Sequence, residues 1–161
     1  MRIYVACLAS YNAGTLHGRW IDALQSVEAI EEEIAAMLKD SPEPGAEEWA
    51  IHDADGIIVS EYASIASVVF LAEMMDKHGD AWTDYVDWIG VDHATEEGFE
   101  ESYCGAWDSL QAYAEDYLES TGAFDGAPDL LKNYFDFEAF TRDLGYDGYY
   151  FTTNGHVFRS C

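Results

Sequence analysis

Basic residues are scarce in this chain. Seven Lys and Arg stand against 32 Asp and Glu, a formal net charge of −25. No Lys/Arg-rich patch is present to neutralise phosphates, which argues against direct nucleic-acid binding. The same imbalance argues against an anionic membrane surface. Apolar runs are short: the uncharged, largely apolar stretch Tyr62 to Ala72 falls well below the ~20 residues of a membrane span. The opening Met1-Arg2-Ile3-Tyr4-Val5-Ala6 lacks the apolar stretch of a signal peptide and reads as a first strand. Cys7, Cys104 and Cys161 are odd in number, scattered, and without a CxxC. They are expected to be reduced thiols of a cytoplasmic protein rather than a disulfide framework.

Apolar and aromatic residues are abundant. The hydrophobic share is 49% and the aromatic share 15%, which separates this chain from acidic tails that stay unfolded. Arg2 to Ala9 reads as a strand, followed by a loop from Tyr11 through Gly18. Ser26 is placed to cap a helix with Val27, Ile30, Ile34, Met37 and Leu38 on one face. Glu48 to Asp53 and Ile57 to Ser60 read as strands paired across Ala54-Asp55-Gly56. Ile65 to Met75 reads as a buried helix that Gly79 interrupts. A shorter helix then starts at Asp80, with Trp82, Tyr85, Val86 and Ile89 inward and Asp80, Asp84 and Asp87 on the opposite face. Ser109 starts another helix, Asp136 a further one, and Asn154-Gly155 between two aromatic stretches marks a hairpin.

Catalytic signatures fail one by one. With so many carboxylates, an acid pair at glycosidase spacing carries no information. Asp53-Ala54-Asp55-Gly56 is not a calcium loop, because an EF-hand needs glycine at position 6 and Glu at position 12, where Gly56 comes too early and Ser64 stands last. His17, His52, His78, His93 and His156 share no metal-ligand spacing, and no GxGxxG or P-loop occurs. The sequence therefore predicts no enzyme, no cofactor and no metal.

The distribution of acids is the informative feature. Between Glu47 and Tyr103 fifteen acids stand against one base, Lys77. An ordinary solvated helix mixes Lys with Glu at i,i+4, and this chain omits the Lys. A charge of −25 equals that on about 40 Å of duplex DNA at one charge per ~1.7 Å. Carboxylates accept guanidinium forks bidentately, much as phosphates do. The candidate acidic surface comprises Glu28, Glu32, Glu33, Glu47, Glu73, Asp76, Asp80, Asp84, Asp87, Asp92, Glu96, Glu97, Glu100, Glu101, Glu115, Asp116 and Glu119.

Ile3-Tyr4-Val5-Ala6-Cys7-Leu8-Ala9-Ser10-Tyr11-Asn12-Ala13-Gly14 with Leu16 to Asp22, then Glu48 to Asp53, Leu118 to Leu144, and the closing Asp147-Gly148-Tyr149-Tyr150 and Gly155-His156-Val157-Phe158, resembles the ArdA antirestriction family. That resemblance implies an elongated α+β chain of three small domains. They would be a sheet plus helix over 1–61, an acidic helical middle over 62–102, and a sheet plus helices over 103–161 that dimerises. It implies a DNA mimic that occupies the methyltransferase core of type I restriction-modification enzymes, with Tyr134, Phe135 and Phe137 at or near the homodimer contact. Two other readings stay open on composition: an acidic binding module for another basic DNA-binding protein, and a salt-adapted enzyme. For a distributed charged surface, neutralising Asp84 or Asp87 alone is expected to cost little inhibition, because each exposed charge is screened and one among many.

Overall fold

Antiparallel pairing of three short strands organises the first part of the chain. In the computed structural model, which describes residues 1–160 apart from the side chain of Asp92, β1 (Arg2–Cys7) lies between β2 (Gly18–Asp22) and β3 (Trp49–Asp55). Side chains alternate across the sheet, so Ile3, Val5 and Cys7 point together to one side and are fully buried. Ile3 lies opposite Ile21 of β2, and Val5 opposite Ile51 of β3. Two helices cover this face, α2 (Val27–Lys39) and α3 (Ile65–His78). Ile30, Ile34 and Met37 of α2 and Ile65, Val68, Val69 and Ala72 of α3 join the strand residues in one core. Each such Ile, Val or Met side chain contributes ~1.5–3 kcal/mol on burial.

The helix starts follow from hydroxyls. Ser26 accepts the Ala29 N–H at 3.2 Å and Ser64 accepts that of Ser67 at 3.1 Å, satisfying N–H groups left open at a helix start. His17 donates from Nε2 to the Met37 carbonyl at 2.7 Å, tying the loop before β2 to the last turns of α2. Gly79 ends α3 at φ +58, a backbone state that L side chains rarely adopt.

The chain divides into two compact units, Met1–Gly79 and Asp80–Cys161. The acidic stretch 62–102 is shared between them, α3 with the first and α4 (Asp80–Ile89) with the second. In the second unit the 3-10 turn Val91–His93 and α5 (Glu96–Ser102) lead into β4 (Tyr103–Ala106). Then follow α6 (Leu110–Ser120), α7 (Asp129–Asn133), α8 (Phe137–Tyr146), β5 (Tyr149–Phe151) and β6 (His156–Arg159). The sheet order is β4-β6-β5, so β6 is central.

Aromatic rings fill this second unit. Phe158 of β6 is fully buried and packs within 6.0 Å, centroid to centroid, of Tyr85, Trp88, Phe99 and Tyr103. On the other side of the sheet Tyr113, Ala114, Leu144 and Val157 form a second core. Burial followed by a hydrogen bond to Cys104 pushes the Tyr113 hydroxyl far above its ordinary range, so it remains protonated.

The fold is α+β, as expected. The caps at Ser26 and Ser109, the helix start at Asp136 and the terminal hairpin all form. Three local expectations do not. The hairpin across Ala54-Asp55-Gly56 is absent, because β3 runs on to Asp55 and pairs Ala54 and Asp55 with Ile3 and Arg2. Ile57 turns into the core instead of entering a strand. The supposed loop after β1 contains a short helix, α1 (Leu8–Asn12), and then the strand β2.

One turn glycine is tightly constrained. Gly155 has φ +89, and a Cβ there would lie 2.9 Å from the Trp107 carbonyl oxygen. Both strain and contact oppose a side chain, so Gly155→Ala is expected to lose ~1–3 kcal/mol of stability. Urea unfolding of the variant checks this; a midpoint equal to the parent would contradict it.

Candidate protein-interaction surface

Side-chain exposure sorts the acids. Glu28 and Glu32 of α2, Glu47 of the following loop, and Glu73 and Asp76 of α3 are exposed in the first unit. In the second unit Asp80, Asp87, Glu97, Glu100, Glu101, Glu115, Asp116 and Glu119 are exposed. Glu33 and Glu96 are half-buried, and Glu33 accepts a hydrogen bond from Gln25 Nε2 at 2.8 Å. The Asp92 side chain lies outside the described residues. Acids left out of the candidate set behave the same way: Glu31, Asp53, Asp55, Glu61, Asp125 and Asp147 are all exposed. Their only sequence signal was the lack of a nearby base.

The imbalance holds in each unit separately. The first carries fourteen acids against four Lys and Arg, the second eighteen against three. Some cations are engaged locally: Arg2 pairs with Asp55 and Arg142 with Asp143, each at 3.0 Å. Exposed pairs of this kind are worth little, ~0–1 kcal/mol. Among the described residues no cluster of His, Cys, Asp and Glu is arranged to hold a metal ion, and no helix is long and apolar enough to cross a membrane.

Asp84 departs from the set. It was placed on the outward acidic face, but it is buried, with 7% of its surface exposed. At 100° per residue it lies about 40° from Asp80, towards Ala81, Tyr85 and Trp88. The buried arc of α4 includes Ala81 as well as Trp82 and Tyr85, and so extends to Asp84. There the β5–β6 turn meets the carboxylate. Thr152 Oγ1 donates to Asp84 Oδ2 at 2.5 Å and His156 Nδ1 donates to the same oxygen at 2.6 Å. Asn154 Nδ2 donates to Oδ1 at 2.7 Å. The Thr152 hydroxyl in turn accepts the His156 backbone N–H at 3.0 Å. This carboxylate clamps the terminal hairpin to α4 and offers no free oxygen edge to a partner.

The electrostatics agree with the geometry. Burial raises the Asp84 carboxyl, but the hydrogen bonds from Thr152, His156 and Asn154, with the His156 charge, more than offset it and hold it below the ordinary carboxylate range. The Tyr103 phenol is raised, first by burial and then by the negative charge of Asp84.

The residues named for a dimer contact divide in the same manner. Tyr134 is 81% exposed, next to the exposed Leu130 and Leu131 of α7. Phe135 and Phe137 are half-buried and pack on each other at 4.8 Å, with Phe124 and Phe140 around Phe135 at 5.1 and 5.7 Å. Only Tyr134 of the three presents its ring to solvent; the two phenylalanines help hold the segment together.

Two comparisons with known proteins bear on these surfaces. A family model described as "Antirestriction protein (ArdA)" matches residues 3–159. Comparison with curated proteins gives no match.

The Asp84 clamp has a pH signature. A carboxylate depressed in the folded state adds stability above its unfolded pKa, ~4, and loses it as pH falls through the lower folded value. Asp84→Ala is expected to cost ~2–4 kcal/mol at neutral pH by orphaning the three donors. The deficit should shrink as pH falls below the ordinary carboxylate range and the parent's carboxyl takes up its own proton. Urea unfolding of both proteins at neutral and acid pH measures this, and a deficit independent of pH would refute the clamp.

Proposed function

Because the chain belongs to the ArdA antirestriction family, we propose that it binds type I restriction-modification enzymes in place of DNA. Its exposed carboxylates stand in for backbone phosphates. The observation that carries this reading is the outward placement of the acids with few cations among them, in both units. A DNA-binding groove draws much of its affinity from Lys and Arg contacts to phosphate, with release of counterions. A folded acidic surface meets the same side chains without base edges to read. Most of the candidate acids are carried on regular helices, so little ordering entropy is lost on binding. The target is the methyltransferase core, where DNA is held, and the role is inhibition by occupancy, with no catalysis and no cofactor.

The exposed apolar group of Leu130, Leu131 and Tyr134 supports a homodimer through the second unit. Large apolar side chains grouped on an acidic surface mark a contact. Tyr134→Ala is expected to give monomers at low concentration in sedimentation, with the fold intact. Phe135→Ala, by contrast, should also lower stability, because its ring is part of the phenylalanine cluster. A parent protein that sediments as a monomer would end the dimer proposal.

The central test is competition. Purified protein is expected to displace a labelled duplex from a type I methyltransferase, and to do so less well as salt rises from about 50 to 200 mM. Removing Glu97, Glu100 and Glu101 together should weaken displacement more than any one alone, while Asp87→Asn alone costs little. Binding that leaves the enzyme's affinity for DNA unchanged would sink the proposal.

A further inference from the structure

The face of the first sheet opposite its core carries aromatic rings edged by carboxylates. Across β2, β1 and β3 one row reads Asp22, Arg2, Asp55 and the next Trp20, Tyr4, Asp53. Trp20 is 39% exposed, and its ring lies 5.5 Å from that of Tyr4. The Tyr4 ring lies down on the sheet: a Cβ on Gly18 would come within 2.8 Å of Tyr4 Cζ and Oη. Glycine at position 18 leaves room for that ring to lie flat. Asp22, Asp53 and Asp55 are exposed along both margins.

One guanidinium already uses this surface. Arg2 sits with its Cζ 4.8 Å from the Trp20 ring centroid and donates from Nε to Asp55 at 3.0 Å. A planar cation stacked on a ring and paired to a carboxylate is the arrangement that guanidinium suits and ammonium does not. In the neighbouring row Tyr4 stands opposite Asp53 in the strand register, while its ring leans the other way, over Gly18 and against Trp20. Arg2 is the only Lys or Arg at the outward positions of these strands, among the described residues.

We infer that this sheet face is an arginine-docking surface for the basic partner. It imitates the stacking faces of bases as well as the charge of phosphates. The inference rests on the proposed function for the identity of the partner, while the face itself selects a side-chain chemistry. Helical acids elsewhere on the chain offer charge alone, to which Lys and Arg respond alike. Here Trp20 and Tyr4 add a term that favours arginine.

Two experiments separate the inference from the function on which it rests. The first uses labelled arginine and lysine homopeptides of equal length, followed by anisotropy. The parent is expected to prefer the arginine peptide by roughly two- to fivefold per stacked contact. Trp20→Ala and Trp20→Leu should both reduce that preference, the leucine variant keeping apolar area without a π face. Trp20→Phe should retain part of it. Equal preference in parent and Trp20→Leu overturns the inference without touching the proposed function. The second experiment is displacement of duplex from the methyltransferase. If the parent displaces DNA and Trp20→Leu does so equally well, the sheet face is not the docking site. If the parent fails to displace DNA at all, the proposed function falls, and the peptide comparison still decides the chemistry of the face.

Discussion

Repulsion among carboxylates is the constraint to which the rest of the structure answers. Thirty-two acids and seven bases share a chain small enough that many like charges lie within a few Debye lengths, each ~8–10 Å at ordinary salt. The compact state gathers these charges and the unfolded state spreads them, so folding has to outweigh a penalty that most proteins of this size do not carry. Non-directional burial is the term available to offset it. It appears here as an aliphatic core between sheet and helices in the first unit, and as a lattice of rings around Phe158 and Tyr113 in the second. The more acidic unit is the one built on aromatic packing. Rings bury large areas and add a favourable pair geometry of ~0.5–1.5 kcal/mol each, which suits short strands with few ladder hydrogen bonds.

Asp84 shows what happens when one carboxylate is taken inside. A buried charge is tolerated only with its hydrogen-bonding capacity met, and three side chains of one hairpin meet it: Thr152, Asn154 and His156. The Asn-Gly turn was legible as a hairpin, since glycine supplies the positive φ that the turn demands. Its second task, presenting donors to α4, was not. Nothing in the local sequence distinguishes a Thr-Thr-Asn-Gly-His turn that faces water from one that faces a helix.

What the sequence disclosed follows the range of the forces involved. Helix caps and periodic apolar faces are set by residues three or four apart, so α2, α6 and α8 were readable from Ser26, Ser109, Asp136 and the residues that follow them, and α3 from the apolar run Ile65 to Met75. Strand pairing depends on distant partners. β3 pairs with β1 across some fifty residues, and a local reading folded it onto Ile57 to Ser60 instead. β2 was passed over because Gly18 and Asp22 weaken its strand signal, although Trp20 and Ile21 alternate correctly about the sheet. The abundance of acids was legible in composition, and most of the named ones are exposed. Asp84 failed because a helical wheel gives angles but not the width of the buried arc. The aromatic sheet face was invisible for the same reason as β2: without the strand, Trp20 had no neighbour.

Exposed acids and structural anchors respond oppositely to the solvent. Added salt screens repulsion among the surface carboxylates and so favours the folded chain; on the proposed function it also weakens attachment to a cationic groove by reducing the gain from counterion release. For a protein whose charges serve only solvation at high salt, folding and activity would rise together. For one whose charges are its recognition surface, stability and affinity part company along a single variable. The buried groups stand outside this trade. The Asp84 clamp and the ring lattices are shielded from ions, so they set the stability left when salt no longer matters. On the proposed function the surface, in contrast, can lose any one carboxylate to a neighbour's compensation. Redundancy outside and singularity inside come from the same cause: a charge in water is one of many, and a charge out of water must be answered individually.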